Sequence, residues 1–269
     1  MESEKKYKLG LALGSGGVRG ISHIGIIKVL LKNKIPIDMI AGASAGSLVG
    51  AYLAVHGEIK SLENLLLKDS RKYLPIFFDL GLKEGIVKGN KIDKFIEDIL
   101  NKSNFEDTKI KFTSVATDLI SGQQVVFSSG NLSKAVMSSI SIPIIFDPVI
   151  FQKEILVDGG LSNPVPVDLL RQNGIDKVIA VNLYHKNEFT DKKFTISNII
   201  FRSIKIALHN LSKASVINSD IILNPDTSKC INGLPLRKYF EPEVIKELIK
   251  IGEKEAKKAL PDILKLIEK

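Results

Sequence analysis

The sequence is poor in several residue types that define particular classes of protein. Its 269 residues include one cysteine, no tryptophan and four histidines. The lone thiol, Cys230, forms neither an internal disulfide nor a thiolate zinc site, which fits a reducing compartment. The histidines are scattered without a usable ligand spacing, so we expect no metal and no other cofactor. Aromatic residues make up only 6% of the chain, too few for the stacking platform that binds single-stranded nucleic acids.

Long apolar segments are also missing. No uninterrupted hydrophobic run is long enough to cross a bilayer. The first ten residues, MESEKKYKLG, lack the apolar core of a signal peptide, and we therefore expect a cytoplasmic protein. The 38 lysines and arginines outweigh 30 acidic residues to give a net charge of +8, which would draw the protein toward nucleic acid or an anionic membrane surface. Because aromatic residues are scarce, the membrane surface is favoured as the peripheral partner. The sequence does not indicate an oligomeric state.

What is present has the pattern of an α/β protein. Hydrophobic residues make up 44% and charged residues 25% of the chain, as in ordinary globular domains. Short apolar runs at Lys8–Leu13 and Ile37–Gly42 predict buried strands on either side of a helix at Ile21–Lys34. A strand–helix–strand unit of this length favours a parallel pair with a right-handed crossover. Strands are further predicted at Ile110–Leu119, Gln123–Ser128, in a pair ending at Val149–Asp158, at Lys177–Tyr184 and at Ser219–Leu223.

We expect residues 1–269 to form a single domain, because no repeat, low-complexity tract or linker interrupts the alternation. Residues 241–269 are its C-terminal helical segment, with a helix predicted over Pro242–Leu260. Residues 59–102 form a candidate lid or insert, in which two amphipathic helices flank the irregular apolar stretch Leu74–Ile86. That stretch is either a lid or interfacial patch, or a loop packed over the sheet edge.

A further helix is predicted over Phe194–Leu211, with an apolar stripe at helical spacing. We expect this helix to cover the core rather than to bind a membrane, although basic residues flank the stripe. The stripe consists of Ile196, Ile199, Ile200, Ile204, Leu208 and Leu211. The flanking basic residues are Lys192, Lys193, Arg202 and Lys205.

The motif G-x-S-x-G lies between a predicted strand and a predicted helix, as Gly42-Ala43-Ser44-Ala45-Gly46. A sharp strand-to-helix turn would hold the serine in a strained conformation, and only small neighbours allow the backbones to approach closely enough. The Ser44 hydroxyl would then project at the positive end of the helix, where it is a candidate nucleophile. Small residues that merely allow tight packing of helix on sheet are the alternative explanation.

A glycine-rich stretch, Gly14-Ser15-Gly16-Gly17-Val18-Arg19-Gly20, joins the first strand to the first helix. Its amides can converge on an anion, either a nucleotide phosphate or the oxyanion of an acyl-transfer intermediate. The dinucleotide pattern G-x-G-x-x-G fails because Arg19 occupies the position of the last glycine, and no G-K-[ST] follows. A basic residue in the first helical turn opposes the helix dipole, so Arg19 indicates that a negatively charged group binds nearby. The alternative is that Arg19 is a solvated surface residue.

A carboxylate followed by two glycines, Asp158-Gly159-Gly160, ends another apolar run. By itself this pattern indicates a hairpin turn, but a nucleophilic serine needs a base, and Asp158 could supply one. The chain order of α/β-hydrolases makes His185 the formal candidate base, although Ser44 lies too early in the chain for that sheet. We expect His23, one turn beyond the glycine-rich stretch, to be a packed or hydrogen-bonded helix residue.

Together these blocks resemble the patatin-like phospholipase family. That family has a glycine-rich loop ending in a basic residue and glycine, a G-x-S-x-G, a serine-containing segment leading to proline, and a D-G-[GA]. They occur here in order as Ser15–Gly20, Gly42–Gly46, Ser138–Pro143 and Asp158–Gly160. The likeness spans Lys8 to Tyr184, and the combination is far more specific than any one block. Ser15 stands where many members have glycine, which should leave the neighbouring amides available.

The resemblance implies a three-layer α/β/α fold around a central, mostly parallel sheet, and a Ser–Asp dyad without histidine. It makes Ser44 the nucleophile and Asp158 the base, with Gly16, Gly17, Val18 and Arg19 stabilising the oxyanion. The glycines that support these motifs are Gly14, Gly20, Gly42, Gly46, Gly159 and Gly160.

The activity implied by the resemblance is hydrolysis of fatty-acyl esters of lipids or phospholipids through an acyl-enzyme. Three alternatives stay open. One is an acyltransferase or small-ester esterase that uses the same intermediate. The second is a nucleotide-binding protein that uses Gly14–Gly20, and the third is a catalytically silent scaffold.

Overall fold

Eight short strands form one sheet within the residues that this computed structural model describes, namely 7–68, 90–189, 195–232, 234, 238–239 and 241–268. The strands are β1 (Leu9–Leu13), β2 (Met39–Ala43), β3 (Lys111–Asp118), β4 (Gln124–Phe127), β5 (Val149–Phe151), β6 (Glu154–Asp158), β7 (Lys177–Val181) and β8 (Ile221–Leu223). Hydrogen-bonded neighbours follow the path β5-β6-β3-β2-β1-β7-β8, and β4 also pairs with β3. Strands β1, β2, β3, β7 and β8 are parallel, whereas β4 and β6 are antiparallel to β3. The sheet is therefore mixed and mostly parallel, which confirms the prediction.

Helices connect these strands and cover both faces of the sheet. They are α1 (Ile21–Lys32), α2 (Ala45–His56), α3 (residues 60–68), α4 (Asn90–Ile99), α5 (Leu132–Ser139), α6 (Val167–Gln172), α7 (Ile196–Ser215), α8 (Ser228–Ile231) and α9 (Pro242–Glu268). Short 3-10 turns lie at Gly17–Gly20, Phe105–Asp107, Gly159–Leu161 and Lys186–Phe189. Most predicted boundaries within the described residues agree with these to within three residues.

Side-chain alternation along the strands divides the core into two layers. In β1 the three leucines join the cluster formed with α1, α2, α5 and α9, whereas Ala12 belongs to the cluster on the opposite face. Gly10 shares that second face, where it lies directly beneath Leu170 of α6. Small residues on this face let the short helix α6 approach the sheet closely. The result is the expected α/β/α arrangement of three layers.

The C-terminal helix α9 is longer than predicted. The prediction ended at Leu260, and the next residue, Pro261, lacks an amide hydrogen for the helical bond. In the structure α9 continues through Pro261 to Glu268, and Ile263 beyond the proline is fully buried. Burial of this side chain favours continuation, since withdrawing an isoleucine from water contributes about 1.5–3 kcal/mol.

The prediction that the apolar stripe of α7 covers the core is wrong for the N-terminal part of the helix. Ile196 is 81% exposed, and Ile199, Ile200 and Ile204 are exposed as well. The helix is held instead near its C-terminal end, where the Asn182 side chain just beyond β7 donates to Ser212 Oγ at 3.1 Å. Because 16 residues of helix precede Ser212 and each adds about 1.5 Å, the N-terminal part extends about 24 Å from this contact. Periodicity alone could not show which face of α7 is attached.

The helices and strands described above do not test two other predictions. The candidate lid stretch Leu74–Ile86 lies outside the described residues, and the single-domain organisation stays a prediction. Within the described part of the chain, no helix combines the length and the apolar character needed to span a membrane.

Helices α1 and α9 approach each other very closely at two glycines. A Cβ atom on Gly25 would overlap the carbonyl oxygen of Ile249, and one on Gly252 would overlap the carbonyl oxygen of Ser22. Beside this crossing, Lys28 of α1 forms ion pairs with Glu253 of α9 at 2.7 Å and with Glu63 of α3 at 2.8 Å. The close backbone contact requires glycine at both positions. Helix α9 is therefore held against α1 by close packing as well as by the ion pairs.

Replacing Gly252 with alanine is expected to destabilise the protein by about 1–3 kcal/mol, the usual cost of overpacking a close contact. Helix propensity alone would give the opposite sign, since alanine is favoured over glycine by about 0.5–1 kcal/mol inside a helix. Chemical denaturation measures the free energy of unfolding. Lys254→Ala, at an exposed position of the same helix, is the control and should change it by less than about 0.5 kcal/mol. A Gly252→Ala variant as stable as the parent protein would contradict the close crossing.

Candidate active site

The two strands that carry the candidate residues meet end to end on one edge of β3. β2 ends at Ala43, opposite Val115 of β3. β6 runs the other way and ends at Asp158, opposite Ala116, the next residue of β3. β4 occupies the other edge of β3 over these same positions, so β2 and β6 must share one edge. Ser44, which follows Ala43, and Asp158 therefore arrive at neighbouring positions from opposite directions.

Ser44 occupies a strained turn between β2 and α2, as the G-x-S-x-G motif predicts. Its φ of 52° and ψ of −122° are costly for any residue other than glycine. The turn is possible because Gly42 and Gly46 lack side chains: a Cβ on Gly42 would overlap the Gly46 carbonyl, and one on Gly46 would overlap that of Leu13. The amide of Ser44 donates to Ser139 Oγ at 2.8 Å, which holds the turn from the side of α5.

The hydroxyl of Ser44 donates to Asp158 Oδ2 at 2.5 Å, and both residues are buried. The amide of Gly160 donates to the other carboxylate oxygen, Asp158 Oδ1, at 2.8 Å. The main chain of Asp158 is held as well, since its amide donates to the Ser141 carbonyl at 2.9 Å and its carbonyl accepts from the Thr117 hydroxyl at 2.8 Å. These bonds fix the carboxylate and direct Oδ2 at the serine.

Burial changes the acidity of this carboxyl group. It raises the pKa of Asp158 from 3.8 to about 6, although the hydrogen bonds from Ser44 and Gly160 oppose the rise. At neutral pH the group is still ionised, and it is a stronger proton acceptor than an exposed aspartate. Asp158 ends β6 and is followed by the 3-10 turn Gly159–Leu161, so the alternative explanation of this motif as a hairpin turn is wrong.

The glycine-rich loop separates into bound and unbonded amides. Three of its amides donate to main-chain carbonyls: those of Gly14, Ser15 and Arg19. Three others have no protein acceptor in the described part of the chain: those of Gly16, Gly17 and Val18. Adjacent unbonded N–H groups at the start of a helix form an anion-binding site. Gly17 and Val18 line the same cavity as Ser44, so two of the three unbonded amides belong to residues that border the cavity beside the serine.

Arg19 is only 7% exposed, so the alternative of a solvated surface arginine is wrong. Its guanidinium donates from Nε to the Gly16 carbonyl at 3.0 Å and from Nη1 to the Leu183 carbonyl at 3.4 Å. The same group lies 4.7 Å from the ring centre of Tyr184, whose hydroxyl is hydrogen-bonded to that of Ser15 at 3.0 Å. Arg19 and Tyr184 thus brace the loop that carries the unbonded amides.

The two histidines weighed from the sequence have structural partners. His23 is fully buried, and its Nε2 lies 2.8 Å from the Gly14 carbonyl. Burial lowers the pKa of His23 to about 4, so the neutral ring donates this bond, and the expectation of a hydrogen-bonded helix histidine is confirmed. His185 Nδ1 lies 3.5 Å from the Asp226 carboxylate and accepts from the Asn187 amide at 3.3 Å. Asp158, by contrast, is the group that accepts from Ser44.

An apolar cavity of about 270 Å³ opens beside Ser44. Apart from the serine and the glycine-rich loop, its walls are almost entirely aliphatic and aromatic side chains from α1 to α4 and the chain after α5. They include Ile24, Leu48, Leu62, Phe95, Ile142 and Phe146. Such walls suit an unbranched hydrocarbon chain and offer little to a charged or sugar-like group. A larger cavity of about 500 Å³ between α4 and α5 is lined by Asp93, Glu97 and Asp147 and does not include Ser44.

Sequence reasoning did not assign Ser139, Thr117 or Tyr184. Ser139 lies in the segment Ser138–Pro143 that the family resemblance had marked, so that block was a usable signal. No signal pointed to Tyr184, because its contact with Arg19 depends on β7 lying beside β1. That neighbour relation joins residues far apart in the sequence.

Comparison with known proteins places these features in a family. A sequence model of patatin-like phospholipases matches residues 11–171. An uncharacterized NTE family protein of Mycobacterium tuberculosis is 34% identical over 177 residues, which are 65% of this chain and 49% of that protein. Lysophospholipase NTE1 of Scheffersomyces stipitis is 30% identical over 190 residues, which are 69% of this chain and 12% of that protein. This chain therefore spans about half or less of the length of these curated relatives.

A solved structure shares the fold. VipD from Legionella pneumophila superimposes with a TM-score of 0.50 at 16% identity, over 93% of this chain and 67% of that one. The sequence match over residues 11–171 takes in the glycine-rich loop, the strained serine turn and the carboxylate that accepts from it. It covers more than half of the chain, and the chain belongs to the patatin-like phospholipase family.

Proposed function

We propose that this protein hydrolyses fatty-acyl esters of lipids or phospholipids, with Ser44 as nucleophile and Asp158 as base. The observation that carries the proposal is the bond from Ser44 Oγ to Asp158 Oδ2 at 2.5 Å, beside an apolar cavity and three unbonded amides. The name of one relative, a lysophospholipase, supports a lipid ester as the substrate class. Peripheral contact with an anionic membrane surface is part of the same proposal, and the net charge of +8 supports it.

In the first half of the reaction Ser44 Oγ attacks the ester carbonyl carbon, and the serine proton passes to Asp158 Oδ2. The carbonyl oxygen becomes an oxyanion, for which the unbonded amides of Gly16, Gly17 and Val18 are the donors. Removing one such donor typically raises the barrier by about 2.7–4 kcal/mol. When the tetrahedral intermediate collapses, the alcohol leaves with the proton held by Asp158, and the acyl group stays on Ser44.

In the second half water attacks the acyl carbon and gives its proton to Asp158. The bond to Ser44 Oγ breaks, the serine recovers the proton, and the fatty acid is released. Asp158 therefore acts alternately as base and acid, and a pKa near 6 suits both roles better than the value of an exposed aspartate. If an alcohol took the place of water in this half, the same acyl-enzyme would give an acyltransferase.

Ser44→Ala and Asp158→Asn are each expected to lower the release of p-nitrophenol from a p-nitrophenyl acyl ester by about a thousandfold or more, because either change removes a reacting group. His185→Ala should keep most of the activity. A fluorophosphonate should label the parent protein and not Ser44→Ala, which separates an activated serine from a nucleotide-binding loop. Loss of activity in His185→Ala as large as in Ser44→Ala would contradict the dyad.

The pH dependence follows from the requirement that Asp158 be ionised to accept the serine proton. Because the pKa of Asp158 is about 6, kcat/KM on a soluble ester should be level above about pH 7 and fall about tenfold per pH unit below pH 6. The measurement is a pH–rate profile, with circular dichroism at each pH as the control for folding. A profile that stays level to pH 4.5 would exclude Asp158 as the base.

Arg19 is expected to act by the shape of its guanidinium rather than by charge alone. Arg19→Lys keeps the charge but cannot span the Gly16 and Leu183 carbonyls with a planar fork. Both Arg19→Lys and Arg19→Ala should therefore lower kcat by about 10–100-fold, the effect of a slightly misplaced loop. Steady-state kinetics on a soluble ester measure this. Full activity in Arg19→Lys would mean that only the charge matters, and full activity in Arg19→Ala would remove Arg19 from the machinery.

A further inference from the structure

The N-terminal part of α7, residues 196–207, is here called the α7 arm. It exposes an unusual number of isoleucines: Ile196 at 81%, Ile199 and Ile200 at 48% each, Ile206 at 44% and Ile204 at 37%. All five consecutive residues from Ser203 to Ala207 are exposed. Since a helical turn takes 3.6 residues, the arm stands clear of the described core on every side over this stretch. Contiguous apolar surface of this kind marks a binding site in a soluble protein.

The position of the arm relates it to the candidate active site. Its helix is attached at Ser212, which accepts from Asn182, the residue after β7. β7 pairs in parallel with β1, and the amide of Gly14 at the end of β1 donates to Val181 at the end of β7. The arm therefore begins from the same edge of the sheet as the glycine-rich loop and Ser44. A surface that covers the arm lies on the side of the molecule where a substrate must enter.

The charge of the arm indicates which surface that is. Residues 196–215 contain no aspartate or glutamate, whereas Arg202, Lys205 and Lys213 are basic. Two more lysines, Lys192 and Lys193, precede the helix in the sequence, next to one aspartate, Asp191. An apolar stripe on a helix whose own charged residues are all basic is the composition of helices that lie in the interface of anionic bilayers. A purely apolar protein groove would not require charges of one sign.

We propose that the α7 arm docks the protein on an anionic lipid surface, with Ile196, Ile199 and Ile200 entering the headgroup layer. The basic side chains of the helix then meet the lipid phosphates, and the carboxyl edge of the sheet faces the lipid. This inference rests on the proposed function in one respect only, that the lipid surface is the source of the substrate. Binding of the protein to vesicles requires no hydrolysis, so binding and hydrolysis are measured separately.

The binding experiment uses Ser44→Ala protein, so that hydrolysis cannot change the vesicles. Sedimentation with vesicles of phosphatidylcholine and phosphatidylglycerol in equal parts is compared with vesicles of phosphatidylcholine alone. The parent should prefer the anionic vesicles and lose affinity as salt is added. Adding Ile196→Ser and Ile200→Ser together should lower the affinity about tenfold or more, because two apolar side chains no longer leave water.

The matched control is the pair Ile150→Ser and Ile217→Ser. These isoleucines are 73% and 74% exposed but lie outside the arm, so their replacement should leave vesicle affinity within about twofold. In protein with Ser44 intact, the Ile196→Ser, Ile200→Ser variant should keep its rate on a soluble short-chain ester. It should lose rate on a phospholipid ester in vesicles in proportion to binding.

Two results would overturn the proposal. One is equal vesicle affinity of the arm variant and the parent. The other is that the parent is a dimer and the arm variant a monomer in sedimentation velocity, while both bind vesicles with the same affinity. This result would mean that the arm binds a second copy of the chain. Absence of lipid ester hydrolysis in protein that still binds anionic vesicles would instead count against the proposed hydrolysis, so docking and hydrolysis can fail independently.

Discussion

β3 is eight residues long, whereas β2 and β6 have five residues each, and both of the shorter strands lie along one of its edges. The two strands run toward each other and both end at the same junction, which falls between Val115 and Ala116. This junction decides the rest of the candidate site. It brings a serine and a carboxylate that are 114 residues apart in the chain to 2.5 Å, and it leaves room there for the serine turn. Displacement of either strand by one residue would turn its terminal side chain to the other face of the sheet.

The burial that raises the pKa of Asp158, the proposed base, also weakens the fold. Between pH 3.8 and about 6 the folded protein holds a proton that the unfolded chain has lost, so the stability of the folded state falls as pH rises through this range. Above pH 6 the cost is about 3 kcal/mol, at about 1.4 kcal/mol per pH unit. The strained backbone of Ser44 adds a further cost. The tight three-layer packing offsets both, and sites of this kind commonly combine strain with a rigid surrounding.

Local patterns carried most of what the sequence could predict. Apolar runs located the strands, and glycine spacing located the serine turn, because both effects act between residues close in the chain. The braces of the site could not be found in this way. Tyr184 meets Arg19, and Ser139 accepts from the amide of Ser44, only because distant strands and helices are neighbours. The α7 stripe failed for a related reason: periodicity identifies an apolar face but not the surface that this face meets.

The proposed base and the apolar cavity have a physical reason to occur together with the α7 arm, if that arm docks on lipid as proposed. Asp158 accepts a proton more readily as water is removed from its surroundings, and oxyanion donors act more strongly where water is excluded. A lipid surface held against the carboxyl edge of the sheet would supply both conditions when substrate enters, without any change in the protein. On this view the stripe of isoleucines on α7 and the buried carboxylate of β6 contribute to the same end. The first would bring the site to a water-poor surface, and the second would accept a proton most readily there.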